Sequence, residues 1–422
     1  VDPQHHDLLM RLSMPHVSRG RTSRARGAIV ALLAALIAPT PATLGAQGTL
    51  VPTIGGSGVP VFSYWRFGTA IPQAAGAVSA VSQMAVPLRT RFTVGPNWTV
   101  DLSTAVVSGQ VSLKETAGSR SLSLSGLSDL TVRATGPLLG DALLVTTGIN
   151  IPTGRTGLNA DETAALAALA APALGMPVPS LGRGFGATLG LLAAREVGEW
   201  ALAAGLSMEQ RTEFTPVSLA MASGAAETSI SPGAALHFSL GADRSVGEHR
   251  VSVLLVSDGY AADAVTSSQP GGTALTSQYT LGRQTSVLAR IDLARDGWRE
   301  FALTADLRTR APFANDAGTS VTGSGGSYVD ASVTGVRGEI GDLGVVWGFD
   351  VRHHSGLTFT DALVGAAVTA AGLTGGVDWS GDRTGLRIIG RLQAGQFDTG
   401  ATKTAGIGFT VAGTLSFRGG DR

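Results

Sequence analysis

The chain has 422 residues, 44% hydrophobic and only 15% charged, with 58 glycines and a formal net charge of +0. So few charges, at a mean hydropathy of +0.23, do not suit an ordinary soluble surface, and balanced charge without a basic run excludes nucleic acid as a partner. The absence of cysteine excludes disulfides, thiolate metal sites and a lipidated cysteine.

Residues 1–13 precede an initiator candidate, Met14, and read as an upstream extension outside the fold. Residues 14–46 read as a cleaved export signal. Arg19, Arg21, Arg24 and Arg26 make its basic part, residues 28–38 its short apolar part, and Leu44-Gly45-Ala46 the cleavage site. Residues 47–58 follow as a linker. Nowhere does the chain hold the ~18–20 consecutive apolar residues of a spanning helix. An exported, apolar chain without one points to the closed barrel, the other structure that satisfies its backbone inside lipid.

From residue 59 to 417 the pattern is alternation. In 86–94, Leu88, Thr90 and Phe92 alternate with Arg89 and Arg91, and 98–113 returns after a turn at Gly95-Pro96-Asn97. Leu130, Val132 and Ala134 then alternate with Asp129, Thr131 and Arg133, a period of two that fits a sheet with one apolar face. Gly140-Asp141 turns the chain into 144–151. A glycine beside an acid recurs at Gly198-Glu199, Gly247-Glu248, Asp296-Gly297, Gly341-Asp342 and Gly381-Asp382. Longer connections rich in Gly, Ser, Thr and Ala lie near 69–84, 114–126, 152–184, 212–231, 263–277, 311–327, 355–368 and 398–404. Short turns alternating with long loops predict an all-β, antiparallel up-and-down transmembrane β-barrel of about sixteen strands, with 14 to 18 allowed by the boundaries.

Trp98, Trp200, Trp298 and Trp379 all sit beside short turns, where indole would form an aromatic girdle at one rim of the membrane. In the strands beyond 286, one parity carries Val287, Ala289, Ile291, Leu303, Leu307, Val345, Phe349, Val351, Ile388 and Leu392. The other carries Arg290, Asp292, Asp306, Arg308, Arg310, Asp350, Arg352, Arg387, Arg391 and Gln393. A charge facing lipid near the midplane costs about 2–4 kcal/mol, so the second parity is expected to face a wet lumen. There, with Arg89, Arg91, Asp129 and Arg133, it would either select solutes by charge or form a structural ladder of ion pairs.

In loop 152–184, Asp161 and Glu162 are placed to cap a short helix over 163–170, whose Leu166 and Leu169 share a face, and Pro172, Pro177 and Pro179 would stop it. The segment either folds into the lumen as a plug or lies on the rim. Gly182-Arg183-Gly184-Phe185-Gly186 lacks the context of a phosphate loop. His353 and Ser355 admit a lipid-modifying hydrolase as an alternative, and a closed structural or adhesive barrel is another. No metal site or other cofactor is called for: His353 and His354 point to opposite faces of one strand.

The last strand, 405–417, gathers Ile407, Phe409, Val411, Leu415 and Phe417 on one face, resembling the C-terminal strand recognised by the β-barrel assembly machinery. The segment from Gly126-Leu127-Ser128-Asp129 to Ile151-Pro152-Thr153-Gly154, with Asp161-Glu162-Thr163, the 182–186 stretch and the 200–211 strand, is similar to outer-membrane transporters of the phenol-degradation meta-pathway type. The resemblance runs from about residue 82 to 232. It implies an outer-membrane channel, in contact with outer-membrane lipids, for small solutes such as aromatic or hydrophobic compounds. The resulting reading is a non-enzymatic channel in the cell outer membrane, with residues 418–422 as a tail.

Overall fold

A strand with one apolar face and unpaired edges is stable in lipid only when its sheet closes on itself. Closure is what the computed structural model of the chain has. It describes residues 55–57 and 60–417, apart from positions 74, 96, 116–117, 139–141, 179, 222–223, 269, 317, 319, 322–323, 341, 357–362, 364 and 382–383. The export signal, the extension before it, most of the linker, the C-terminal tail, the turn at Gly140-Asp141, and Pro96, Gly341 and Asp382 of three other expected turns therefore lie outside the described residues.

The wall begins with β1 (Gly55–Ser57 and Val61–Ile71), β2 (Ala77–Val94), β3 (Trp98–Glu115) and β4 (Gly118–Leu127 and Leu130–Pro137). It continues through β5 (Leu143–Ile151), β6 (Gly186–Val197), β7 (Trp200–Arg211) and β8 (Ala235–Val246). Next come β9 (His249–Tyr260), β10 (Gln284–Asp292), β11 (Trp298–Arg310) and β12 (Gly326–Ile340). Last are β13 (Leu343–His354), β14 (Ala367–Ser380), β15 (Thr384–Asp398) and β16 (Lys403–Phe417). Eighteen paired segments make sixteen strands because β1 and β4 are each interrupted once, both halves pairing with the same neighbour. Every pairing is antiparallel between successive strands, and β1 closes on β16 from Val61 opposite Ala412 to Phe67 opposite Gly406. The expected sixteen-strand barrel is the observed one.

The alternation resolves into two faces. On β13, Val345, Phe349 and Val351 are exposed on the outer wall, while Asp350, Arg352 and His354 are buried inside. Leu202, Leu206, Leu236, Phe238, Leu303, Leu307, Ile388 and Leu392 are exposed in the same way. Exposed apolar surface on this scale, at roughly 25 cal/mol per Å², is stable against lipid and not against water. Gly198 and Gly247 take φ of 62° and 61° in two-residue turns, a conformation open to glycine at little cost.

At the opposite end, several expected loops are strand. β1 reaches Ile71 and β2 starts at Ala77, so little of 69–84 is loop, and of 114–126 the described residues 114–115 and 118–126 belong to β3 and β4. Segments Phe214–Met221, Gly224–Ser231, Ala262–Ser268, Leu275–Thr280 and Ala314–Asn315 form a separate five-stranded sheet beyond the barrel. The cause is that small polar residues do not cancel the period of two. Leu122 and Leu124 still alternate with Ser121, Ser123 and Ser125, and pairing satisfies a backbone that would otherwise need water.

Loop 152–184 carries α1 (Ala160–Leu169) and a 3-10 turn at Pro172–Leu174. The helix starts three residues earlier than expected because its cap is Asn159, not Asp161. The Glu162 N–H donates to the Asn159 side chain (3.0 Å), and the Asn159 N–H donates to the Glu162 carboxylate (3.1 Å). Pro172 does not simply end the helix. It opens the 3-10 turn, where its missing N–H costs nothing. This loop folds into the barrel: Ala165, Ala168, Leu169 and Leu174 pack with Trp65, Phe67, Leu113, Leu122 and Phe397 in one buried apolar cluster.

Candidate functional site

Inside the wall lies a cavity of about 1070 Å³. Its lining runs from Arg250, Glu300 and Arg387 near the short turns to Arg211, Gln284 and Arg310 toward the far end. From Glu300 to Arg310 along β11 is roughly 33 Å of strand, enough for the cavity to follow the wall across a bilayer.

Of the residues expected in the lumen, Arg89, Asp129, Arg133, Arg290, Asp306, Arg308, Arg310, Arg352, Arg387 and Arg391 line this cavity. Asp292 and Asp350 are partners of lining arginines, Asp292 bonding Arg290 (2.6 Å) and Asp350 bonding Arg391 (2.8 Å), whereas Arg91 bonds Asp101 and neither of that pair is among the lining residues. Near the short turns the charges form a ladder. Arg290 also reaches Glu300 (3.4 Å), and Arg387 spans Glu300 (3.2 Å) and Asp378 (2.8 Å). Arg308 pairs with Asp306 two residues away (2.6 Å) and lies 5.0 Å from the Tyr328 ring centre.

A second cluster escaped the sequence reading. His237 bonds Asp258 through Nδ1 (2.8 Å) and faces Glu209 through Nε2 (3.8 Å), while Glu209 holds Arg211 (2.6 Å). The signal for it was present. On β8, His237 has the parity opposite to exposed Leu236, Phe238 and Leu240, the same rule that placed Arg290.

Asp129 does something other than face a solute. Its Oδ1 accepts the Gly154 N–H (2.9 Å), and its Oδ2 accepts the Arg183 N–H (2.7 Å) and the Asn150 amide (2.8 Å). The Asn150 amide also donates to the Gly184 carbonyl (2.7 Å), and the Leu130 N–H donates to Thr153 (2.9 Å). The break in β4 at Ser128-Asp129 therefore grips both ends of the inserted loop, and the glycine-rich 182–186 stretch is one end of that grip.

The loop lies inside the barrel at the end away from the short turns, not on its rim. Trp65 donates from Nε1 to the Leu174 carbonyl (3.1 Å), and Gln83 bonds both backbone groups of Val178 (2.7 and 2.9 Å). Leu169 is buried over Gly109, where a Cβ would collide with it, and Leu166 is half-buried against the same cluster. Asp161 pairs with Arg120 (2.6 Å) and Glu162 with Arg155 (2.5 Å), fixing the start of α1 to β4 and to the loop's own entry.

Trp98 and Trp379 are exposed on the outer wall at the short-turn end, and Trp200 there carries the Arg244 guanidinium at 5.6 Å. Trp298 would face inward by simple alternation. A bulge between Trp298 and Glu300 turns it out, edge-on to Phe301 (5.4 Å) and Trp347 (5.6 Å). On β16, Phe409 meets Phe62 and Tyr64 at the seam (5.5 and 5.4 Å), and Phe417 pairs in register with Thr384. His353 and Ser355 take separate partners: His353 bonds Thr369 (2.9 Å), and the Ser355 hydroxyl accepts the Ser327 N–H (2.7 Å). That arrangement does not assemble a nucleophile with its base.

Comparison with protein-family models finds no match, and neither does comparison with curated proteins. Among solved structures the chain is similar to a deltaS2 mutant of the TodX monoaromatic hydrocarbon channel, TodX being a Pseudomonas putida toluene transporter. Identity is 10% over 88% of this chain and 91% of that one, with a TM-score of 0.42. It is also similar to an outer-membrane channel from Pseudomonas putida F1 (15% identity, 64% and 93% covered, TM-score 0.34). OmpT of Vibrio cholerae matches at 10% identity, with 88% and 99% covered and a TM-score of 0.38. Likeness at this level is between distant barrels, and the reading of the lumen rests on its own geometry.

Proposed function

We propose that this chain is an outer-membrane channel that passes small solutes, passively or by facilitated diffusion, through a polar lumen lined by arginine and aspartate. The observation that supports it is a cavity following the inner wall of a closed barrel whose outer wall is apolar. Sixteen open strands would leave a wide aqueous pore. Here the inserted loop fills one side with apolar side chains, so solutes pass along the charged wall from β7 to β15. Selection acts through the excess or deficit of charge left by the ion-pair ladder. No chemical step is needed.

The same reading includes the tryptophan girdle at the short-turn rim, assembly through the Phe409 and Phe417 strand, and contact with outer-membrane lipids. Kinship with the phenol-degradation meta-pathway transporters belongs to it too. Its support is the Ser128-Asp129 and Thr153-Gly154 pair, which the fold uses as one clamp. That kinship directs attention to small aromatic or hydrophobic solutes.

The test is single-channel recording of the folded protein in a planar bilayer under a salt gradient. Ohmic steps smaller than those of an open sixteen-stranded porin are expected, with a reversal potential set by the unpaired charges. Silence from a correctly folded, heat-modifiable barrel would overturn the channel.

A further inference from the structure

Arg352 is 4% exposed and turned into the barrel from β13. Its guanidinium carbon lies 5.3 Å from the Trp65 ring centre. Glycine at 175, in the inserted loop, makes room for Nη1, which would stand 2.6 Å from a side-chain carbon at that position. The remaining edge, Nε and Nη2, is buried with no hydrogen-bond partner among the described residues. His354, on the same face and 6% exposed, has both ring nitrogens in the same condition.

The nearby carboxylates are committed elsewhere. Asp306 is held by Arg308 (2.6 Å), Asp350 by Arg391 (2.8 Å), and Asp330 accepts the Tyr328 hydroxyl (3.0 Å). Arg310 donates to the Gln284 side chain (3.3 Å). Four arginines against three aspartates leave this stretch of wall with one cation in excess. Arg310, Tyr328, Arg352 and His354 all line the cavity, and so do Leu169, Met176 and Val178 of the inserted loop.

A buried guanidinium is stabilised by an anion that takes up its free N–H groups. The Nε–Nη2 edge is the one that receives a carboxylate side-on through two parallel bonds. We propose that Arg352 and His354 form a binding station for the carboxylate of a small solute with an apolar body. The carboxylate lies along the Arg352 edge, a His354 ring nitrogen donates to it, and the body packs on the loop near Met176. The station rests on the channel reading for a lumen that solute can enter, though entry from one end is enough for binding.

The test is equilibrium dialysis of the detergent-solubilised full chain with benzoate, with acetate and benzyl alcohol as probes lacking the apolar body or the charge. Saturable binding of benzoate is expected, at least tenfold weaker for acetate and for benzyl alcohol. Arg352→Gln should weaken benzoate at least tenfold. Arg352→Lys, which keeps the charge and loses the two-pronged edge, should weaken it several-fold and serves if the glutamine variant does not fold. Benzoate binding equal in the wild-type and variant barrels, or absent from a folded wild type, would overturn the station. Bilayer recording on the same preparation separates the two readings. Benzoate binding to a silent barrel removes the channel and keeps the station, while a conducting barrel indifferent to benzoate does the reverse.

Discussion

At the scale of single residues, Asp129 has the clearest consequence. It takes three donors from three separate places, the Gly154 and Arg183 backbones and the Asn150 side chain. Hydrogen bonds to a charged group are the stronger kind, and removing the acceptor strands its donors. Asp129→Ala is expected to cost about 3 kcal/mol, seen as a lower temperature for the heat-induced mobility shift on gels. Noisier single-channel currents should accompany it as the loop loosens. Asp129→Asn should fall between, because its amide nitrogen cannot accept a backbone N–H. Outside the membrane-spanning strands, in the five-stranded sheet, burial and then the neighbouring Asp263 push the Tyr279 phenol up to about 12. A raised folded value favours the neutral form, so its contribution to stability is intact below the unfolded value near 10 and is lost as pH rises through 12. Difference absorbance at 295 nm between wild type and Tyr279→Phe should show this phenol ionising only at the alkaline end.

At the scale of elements, α1 and β3 meet through a glycine. Leu169 occupies the space over Gly109, so Gly109→Val is expected to displace the helix. Overpacking of this kind costs about 1–3 kcal/mol, and the displaced loop should raise open-channel conductance at unchanged barrel content by circular dichroism. That the helix lies inside was not readable from the helix itself. Ala160–Leu169 is alanine-rich, with no sharply apolar side to say what it packs on. The wall held the better clue: β1 is apolar on both faces, with Phe62 and Tyr64 outside and Trp65 and Phe67 inside, so the interior there has to be dry. Strand order, the turns at Gly198-Glu199, Gly247-Glu248 and Asp296-Gly297, and the parity of most charged residues were legible because a period of two in lipid leaves little choice. The outer five-stranded sheet was not, since serine and threonine serve a loop and a solvated strand equally. The Asp129 clamp was also hidden, because it joins residues 25 and 54 positions away that only the folded loop brings together.

For the whole molecule, the barrel combines an ion-paired wall with an apolar filling. Replacing residues 159–178 by a Gly-Ser linker is expected to increase conductance several-fold and to shift the reversal potential toward that of a wide, weakly selective pore. An unchanged conductance would mean that the loop does not narrow the path. The variant should also fold less efficiently, since Trp65, Leu113 and Leu122 would face water.

The seam between β1 and β16 joins Ser63 to Thr410, 347 residues away. Gly406 and Gly408 form the floor under Phe397 and Trp65, so the first strand finishes its packing only against the last. The inserted loop, by contrast, is made after five strands, and much of the wall that will surround it follows later. Such a chain behaves as if wound on a mandrel, its earliest parts shaping a cylinder whose final turn is laid on top. Closure is then bound to be late and slow, as distant pairings are. A chain stalled one strand short would hold its filling in an open cradle, an unclosed intermediate with Trp65 uncovered and therefore visible by its fluorescence.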